Sequence, residues 1–288
     1  MKIIHISDLH IPTKIPFFSL QGKMFSGYFN YILRRKKLHP IESIQEILRV
    51  IKSLDYDILI LSGDITNVAH EIEFKRAREI LNPILDEKVF VVPGNHDRYT
   101  DSSINPKDLY HEYFGEFSGE DIGTSNFYLR KKIISGKFLL GWDTNKPLGI
   151  GDASGHVPES CLSATKQVLE SLDVKSYFLI GHHPLWAPNG ITEGKYHRLT
   201  NKEEVLKFLN QHRPDIYFHG HKHVNWIKRK DEQIPFTIIN SASSTRIYEF
   251  KMDSGFHYFD WDEDVKNVRR YSYKNESKKV EEIKPEIY

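Results

Sequence analysis

Five short loops hold the side chains of this 288-residue chain best suited to metal and phosphate chemistry. They are Asp8-Leu9-His10, Gly63-Asp64, Gly94-Asn95-His96-Asp97, Gly181-His182-His183 and Gly220-His221-Lys222-His223. Carboxylate, amide and imidazole donors without a thiolate suit Mn²⁺, Fe or Zn²⁺, and the set does not choose among them. Each loop alone is weak, because Asp-x-His and Gly-Asp are common and an isolated histidine is more often structural than ligating. Their shared setting changes that.

Every one of these loops follows a short apolar run: Ile-Ile-His-Ile at 3–6, Ile-Leu-Ile-Leu at 58–61, Val-Phe-Val-Val at 89–92, Tyr-Phe-Leu-Ile at 177–180 and Ile-Tyr-Phe at 216–218. Apolar runs stopped by glycine or proline read as buried strands. In open α/β sheets, function gathers in loops past the carboxyl ends of such strands. Five loops of this kind imply one converged metal site. His5 and His219 lie inside the runs and read as core or supporting residues.

Helical periods alternate with the strands. Ile41, Ile44, Leu48, Ile51 and Leu54 share one face behind Pro40, and residues 70–85, 163–172 and 201–211 repeat the pattern, the last with Thr200 as N-cap. Residues 126–142 read as strands around Gly136. From 234 onward the helical period stops, and 234–240, 245–251, 255–261 and 268–273 read as consecutive antiparallel strands. The fold class is therefore α/β, two packed sheets with helices outside. One domain covers 1–273, with an insert at about 12–40 and a charged, solvated tail at 274–288.

Composition limits the function classes. The chain is 39% apolar and 27% charged, as in ordinary soluble proteins. No apolar run approaches the ~20 residues of a spanning helix, and the start of the chain has no signal-peptide anatomy. A single cysteine, Cys161, forms no internal disulfide and points to a cytoplasmic setting. The net charge of +1 gives no reason to expect nucleic acid.

The motif order resembles the calcineurin-like metallophosphoesterase family over roughly residues 1–225. The resemblance implies two facing mixed β-sheets in a four-layer α/β/β/α fold, and two divalent metal ions. It places one ion on Asp8, His10, Asp64 and His223 and the other on Asp64, Asn95, His182 and His221, with Asp64 bridging. Two cations about 3.5–4 Å apart clamp phosphoryl oxygens and generate the nucleophile. His96 then faces the leaving group as general acid, which requires a proton held near neutral pH. Asp97 either orients His96 or stabilises its turn, and His183 is a candidate substrate contact. Protein phosphatases of the family carry a second aspartate and an arginine where this chain has Asn67 and Val68. That departure turns the expectation towards bacterial phosphodiesterases and pyrophosphatases, and leaves the partner of His96 open, with Asp97 and Asn67 as supporting residues around the site.

Between Asp8 and Glu42 there is no acidic residue, while Lys14, Lys23, Arg34, Arg35, Lys36 and Lys37 are all basic. Phe25, Tyr28, Phe29, Ile32 and Leu33 fall on one helical face. Such a segment either caps the domain or lies peripherally on an anionic inner-membrane surface through residues 14–37. The second reading suggests similarity to the family's UDP-diacylglucosamine pyrophosphatases of lipid A synthesis, with Arg34 and Arg35 contacting a diphosphate. A soluble cyclic-nucleotide phosphodiesterase, with Trp186 or Tyr196 stacking on a base, is the rival. A non-catalytic metal-binding scaffold is a third reading, disfavoured because all the ligands and His96 are kept. The Gly149–Gly155 loop and Trp142-Asp143 carry no assigned chemistry.

Overall fold

The structure, a computed structural model, describes residues 1–122, 129–247 and 254–288. The chain opens with β1 (Lys2–Ile6) and α1 (Met24–Asn30), which runs through a π turn at Tyr31–Arg35 into α2 (Lys36–Leu38). It continues with α3 (Ile41–Ser53), β2 (Ile58–Leu61), α4 (Glu71–Leu81), β3 (Val89–Val91), α5 (Leu109–Phe114), β4 (Glu120–Asp121), β5 (Leu129–Ile134) and β6 (Lys137–Trp142). Then come α6 (Glu159–Ser171), β7 (Tyr177–Ile180), α7 (Lys202–Gln211), β8 (Ile216–His219), β9 (Trp226–Lys228) and β10 (Thr237–Asn240). The last strands are β11 (Phe256–Trp261), β12 (Val265–Lys274) and β13 (Lys279–Ile283).

Two mixed sheets face each other, ordered β13-β12-β11-β1-β2-β3 and β4-β5-β6-β7-β8-β10-β9. The strands that lead into the five loops are apolar throughout because both of their faces are covered. Alternation splits each run: Ile3, Ile58, Ile60, Phe90, Phe178, Ile180 and Phe218 fill the space between the sheets. Ile4, Leu59, Leu61 and Val91 point the other way, onto α3, α4 and α5. Leu179 and Tyr217 do the same against α6 and α7. Four layers result, as the motifs imply. Because β1, β2 and β3 run parallel, as do β7 and β8, their carboxyl ends share one edge of the molecule.

The ends of the chain depart from the sequence expectations. The antiparallel run begins only at β11, because β10 joins the other sheet, parallel to β8 and antiparallel to β9. Of the strand expected at 245–251, residues 248–251 lie outside the described residues, as do 126–128 of the strand expected before Gly136; Thr245 to Ile247 form a turn and its exit. The tail is not free: β13 pairs along β12, and Tyr288 exchanges backbone hydrogen bonds with β9. Its polar sequence reflects an edge strand that half-buries only Val280 and Ile283, with backbone pairing holding it in place. Asn201, not Thr200, precedes α7, and the Thr200 hydroxyl instead donates to Gly155 O at 2.9 Å. No helix among the described residues is long and apolar enough to cross a membrane.

The insert packs on the loop side, but not by the expected face. Met24, Tyr28 and Tyr31 turn inward with Ile15, Leu20 and Val68. Phe25, Phe29, Ile32 and Leu33 face solvent, Leu33 60% exposed. Met24, Tyr28 and Tyr31 recur at i, i+4 and i+7 and form a competing stripe, and that stripe is the one the domain covers. Gly27 permits the close approach of α1: a Cβ there would meet the Tyr99 hydroxyl at 2.6 Å and Val68 Cγ1 at 2.7 Å.

Candidate metal centre

Asp8, His10, Asp64 and His223 offer donor atoms that all lie within 4.8 Å of one another, three of the four residues buried. His10 Nδ1 lies 3.1 Å from Thr66 O, and a carbonyl only accepts, so Nδ1 carries the proton. The lone pair on Nε2 then points at His223 Nε2, 3.2 Å away, and at Asp64 Oδ2, 3.7 Å away. His223 Nε2 lies 3.2 Å from Asp8 Oδ1.

A second set adjoins the first. His182 donates Nδ1–H to Ser62 O at 2.8 Å, which aims its Nε2 lone pair at Asn95 Oδ1 (3.2 Å) and Asp64 Oδ2 (3.4 Å). His221 donates Nε2–H to His197 O at 3.1 Å, leaving Nδ1 facing the same Asn95 oxygen at 3.0 Å. Lone pairs packed this closely repel unless a proton or a cation sits among them. Second-side hydrogen bonds that fix each imidazole are the usual support of a metal ligand. Burial opposes ionisation of Asp64, yet the imidazoles around it, His182 foremost, hold its pKa well below the ordinary carboxylate range. Burial pulls His182 down in turn, but Asp64 outweighs it and lifts the ring to about 9. The donor set fits divalent cations, and the structure brings every expected ligand to it.

The backbone bends sharply to do this. Asp8, His10, Asp64, His221 and His223 all adopt positive φ, between 42° and 72°. Strained, non-glycine conformations of this kind gather at functional sites. What holds them is a polar loop after β10. Ser243 Oγ donates to Asp8 O at 2.7 Å, Thr245 Oγ1 to Leu9 O at 2.6 Å, and Ser244 pairs with the Ser7 backbone in both directions. Buried His39 joins this layer through Thr245 Oγ1 at 2.9 Å, its ring 5.1 Å from that of His10. Sequence reasoning missed His39, Ser243 and Thr245. The available signal was the serine run directly after an apolar strand, a sixth copy of the strand-then-polar layout.

Around His96 several expectations change. Its Nδ1–H donates to the Asn67 main-chain carbonyl at 2.6 Å, which is the missing orienting partner. The Asn67 side chain instead donates to Ile11 O. Arg35, expected only as a substrate contact, reaches the ring and lies 2.8 Å from His96 Nε2. Burial and then the Arg35 charge lower the His96 pKa to about 3, so the ring is neutral here and does not hold the proton expected near neutral pH. Asp97 does not orient His96; its carboxylate accepts Gly94 N, Ile65 N and the Thr66 N–H and hydroxyl, fixing the turn.

His183 is also not where a substrate contact would be. It is fully buried, its nitrogens engaged by Thr144 Oγ1 (2.7 Å) and Ala153 O (3.0 Å), and it packs 4.6 Å from the His221 ring. Trp186 packs on Trp226 and Tyr288 rather than at the site. Tyr99, stacked on His96 at 5.5 Å, is the aromatic ring beside the centre. Ile150, Gly151, Asp152 and Ala153 line the same cleft, which gives the Gly149–Gly155 loop its place. Arg34 is exposed, at the rim of a neighbouring cleft with Arg35. Asp143 pairs with buried Arg98 at 2.8 Å, next to the Asn95–Asp97 loop.

A family model for calcineurin-like phosphoesterases matches residues 1–225, and the chain belongs to that family. It is a metal-dependent phosphoric ester hydrolase. A probable glycerophosphodiester phosphodiesterase of Arcobacter nitrofigilis is 26% identical over 186 residues, covering 64% of this chain and 57% of that protein. A probable cyclic nucleotide phosphodiesterase of Pseudoalteromonas is 28% identical over 228 residues, 77% of this chain and 71% of that one. The fold is shared with a dimetal phosphatase of Danio rerio, at TM-score 0.58 and 14% identity over 94% of each chain.

Proposed function

We propose that the protein hydrolyses a phosphodiester or pyrophosphate bond with two divalent ions, Mn²⁺, Fe or Zn²⁺. One ion is held by Asp8, His10, Asp64 and His223, the other by Asp64, Asn95, His182 and His221. When bound, the ions supply Lewis-acid charge to the phosphoryl oxygens and lower the pKa of water. The observation that carries this reading is the convergence of the Asp8, His10, Asp64 and His223 donor atoms within 4.8 Å of one another, with the Asn95, His182 and His221 donors adjoining them.

The chain's own residues divide the remaining work. Arg35 sits where a phosphoryl anion beside the ions would meet a guanidinium, supplying the charge clamp that Val68 cannot. His96 faces the leaving oxygen through Nε2 while Asn67 O fixes its tautomer. Burial is the first cause of the lowered His96 pKa and the Arg35 charge the second; a substrate anion that engages Arg35 offsets the second and so shifts the ring towards its protonated form. Rates on bis(p-nitrophenyl) phosphate against the p-nitrophenyl monoester, before and after chelation and with each metal restored, test the class. A monoesterase preference, or activity indifferent to chelation, would remove the proposal.

Two substrate readings are favoured by separate observations. The phosphodiesterase names of the relatives favour a small soluble diester such as a cyclic nucleotide. The solvent-facing Phe17, Phe18, Phe25, Phe29, Ile32 and Leu33, beside Lys14, Arg34, Lys36 and Lys37, favour a lipid-linked nucleotide at an anionic membrane surface, such as UDP-diacylglucosamine. Turnover of cyclic AMP against UDP-diacylglucosamine separates them, with retention on anionic vesicles as a second readout.

A further inference from the structure

Two buried carboxylates grip the peptide run at 65–68, just past Gly63-Asp64. Asp97 accepts Ile65 N–H and Thr66 N–H. The carbonyls of those two peptide units, Asp64 O and Ile65 O, hold main chain: they accept the N–H groups of His10 and Ile11. Glu73, buried in the first turn of α4, takes the next two units. Its Oε1 accepts Asn67 N–H at 3.1 Å and its Oε2 accepts Val68 N–H at 2.9 Å. The carbonyls of these units hold imidazoles instead. Thr66 O accepts His10 Nδ1–H at 3.1 Å, and Asn67 O accepts His96 Nδ1–H at 2.6 Å.

A trans peptide turns its N–H and its C=O to opposite sides, so Glu73 stands behind both histidines with one amide plane between. Capping α4 does not require this reach. The capping box is completed by His70 N–H on Glu73 Oε2 at 3.2 Å, and the bonds to residues 67 and 68 lie beyond the helix. Hydrogen bonds to an ionised group are the strong ones, and bonds in a chain polarise one another. A carboxylate on the N–H side of an amide therefore makes its carbonyl a better acceptor on the other side. Partners of that kind fix the orientation of a metal-binding imidazole and strengthen its free nitrogen as a donor.

We infer that Glu73 is a positioning residue for both histidines, acting through two consecutive peptide groups. Through the first it aims His10 Nε2 at the metal centre, and through the second it aims His96 Nε2 at the leaving group. The inference rests on the roles proposed above for His10 and His96. A single side chain on a neighbouring helix then sets the register between ligand and acid.

Glu73→Gln tests this, because it keeps the shape but brings an amide NH₂ against N–H groups that need an acceptor. The ratio of kcat/KM on an alkyl diester to that on a p-nitrophenyl diester should fall about 10-fold. Manganese affinity, read by calorimetry, should weaken about 10-fold as well, the lower end of the range for an outer-shell partner. His70→Ala is the control: it removes the other half of the capping box, the Nδ1 that accepts Ile72 N–H. It should lower Tm while leaving the ratio and the affinity unchanged. A Glu73→Gln protein that behaves like this control, less stable but unaltered in both, overturns the inference. The unmodified, zinc-loaded protein gives a readout that needs no variant. Its Asn67 and Val68 amide protons should resonate downfield and exchange slowly, and rapid exchange at both would also overturn the inference. If His96→Ala leaves the ester ratio where it was, His96 is not the acid, and manganese affinity alone then decides the role of Glu73.

Discussion

Replacing Gly63 by Ala tests whether the backbone was shaped for metal ligation. A methyl at 63 would lie 2.5 Å from Gly94 N, 2.7 Å from Gly94 Cα and 2.7 Å from His182 Nδ1, at φ +99°. Non-bonded carbon contacts settle at about 3.5 Å, so roughly 0.8 Å must open at His182 and about 1 Å at Gly94 N. Gly94 is pinned by its N–H bond to Asp97 and by the Asp97 and Arg98 N–H groups on its carbonyl, while the His182 ring is fixed on this side by its Nδ1–H bond to Ser62 O. The ring is therefore displaced along with the loop. Metal–ligand distances tolerate only about 0.2 Å, so a displacement of this size takes His182 out of coordination. The unfavourable φ adds roughly 1–3 kcal/mol of destabilisation. Metal affinity should fall by at least about 10- to 100-fold, the range for disturbing an outer-shell partner. Gly149→Ala, with no atom within 4 Å of the added methyl, is the matched control. Elemental analysis after dialysis at limiting manganese, together with thermal unfolding, reads both effects. Full metal content in Gly63→Ala would refute the reasoning, because the methyl would then have been absorbed away from the ligands.

The remaining expectations concern the groups around that centre. Arg35→Met should lower kcat/KM on a diester by about 10²–10³-fold, as loss of a preorganised charge contact does. With a pKa near 3, His96 is neutral throughout about pH 5–8, so it adds no ionisation to the free enzyme there. Arg35→Met leaves burial in place but removes the charge that lowers that pKa further, so an acidic limb should move up towards this range in the kcat/KM profile; an unchanged profile would disconnect the two residues. His96→Ala should slow an alkyl ester by about 10²–10⁴-fold while barely affecting a p-nitrophenyl one, and equal losses on both would remove it as the acid. Arg98→Met leaves the Asp143 carboxylate buried and unpaired, at a cost of about 3–5 kcal/mol, to be read as a lower Tm. Chelation should lower Tm by several degrees, since a ligand at 100 times its Kd stabilises by about 2.7 kcal/mol, and a Tm indifferent to chelator would argue against resident ions.

That these donor residues converge was legible because strand burial and donor chemistry leave local marks. An apolar run ended by glycine and Asp or His needs no long-range information, and all five runs became parallel strands sharing an edge. His39, Ser243 and Thr245 were not legible. They meet the first motif across more than 200 residues of chain in the case of Ser243 and Thr245, and the serine run after an apolar strand marks a polar loop but not what that loop closes beneath. The tail was misread for the opposite reason: an edge strand that half-buries only Val280 and Ile283 has no apolar alternation to display. The insert carried two competing stripes, and residue spacing cannot say which stripe the domain covers. His183 shows the limit at the site itself, since adjacency to a ligand in sequence turned its ring into the packing behind His221 rather than into the cleft.

The absent arginine at 68 and the insert are best understood together. Val68 is fully buried against Met24, Tyr28 and Tyr31, the face by which the insert docks. A guanidinium at 68 would place a charge inside that apolar contact and exclude α1. With valine there, α1 settles on the Gly-Asp loop, Gly27 against Val68 and Tyr99, and the chain beyond it delivers Arg35 to His96. One apolar side chain thus both removes a phosphate contact from the Gly-Asp loop and seats the segment that returns one from elsewhere. An arginine arriving on a docked segment, unlike one fixed in the loop, also divides the mouth into two clefts. Selectivity for the rest of the substrate then resides in how the insert packs, while the metal ligands stay as the strands place them.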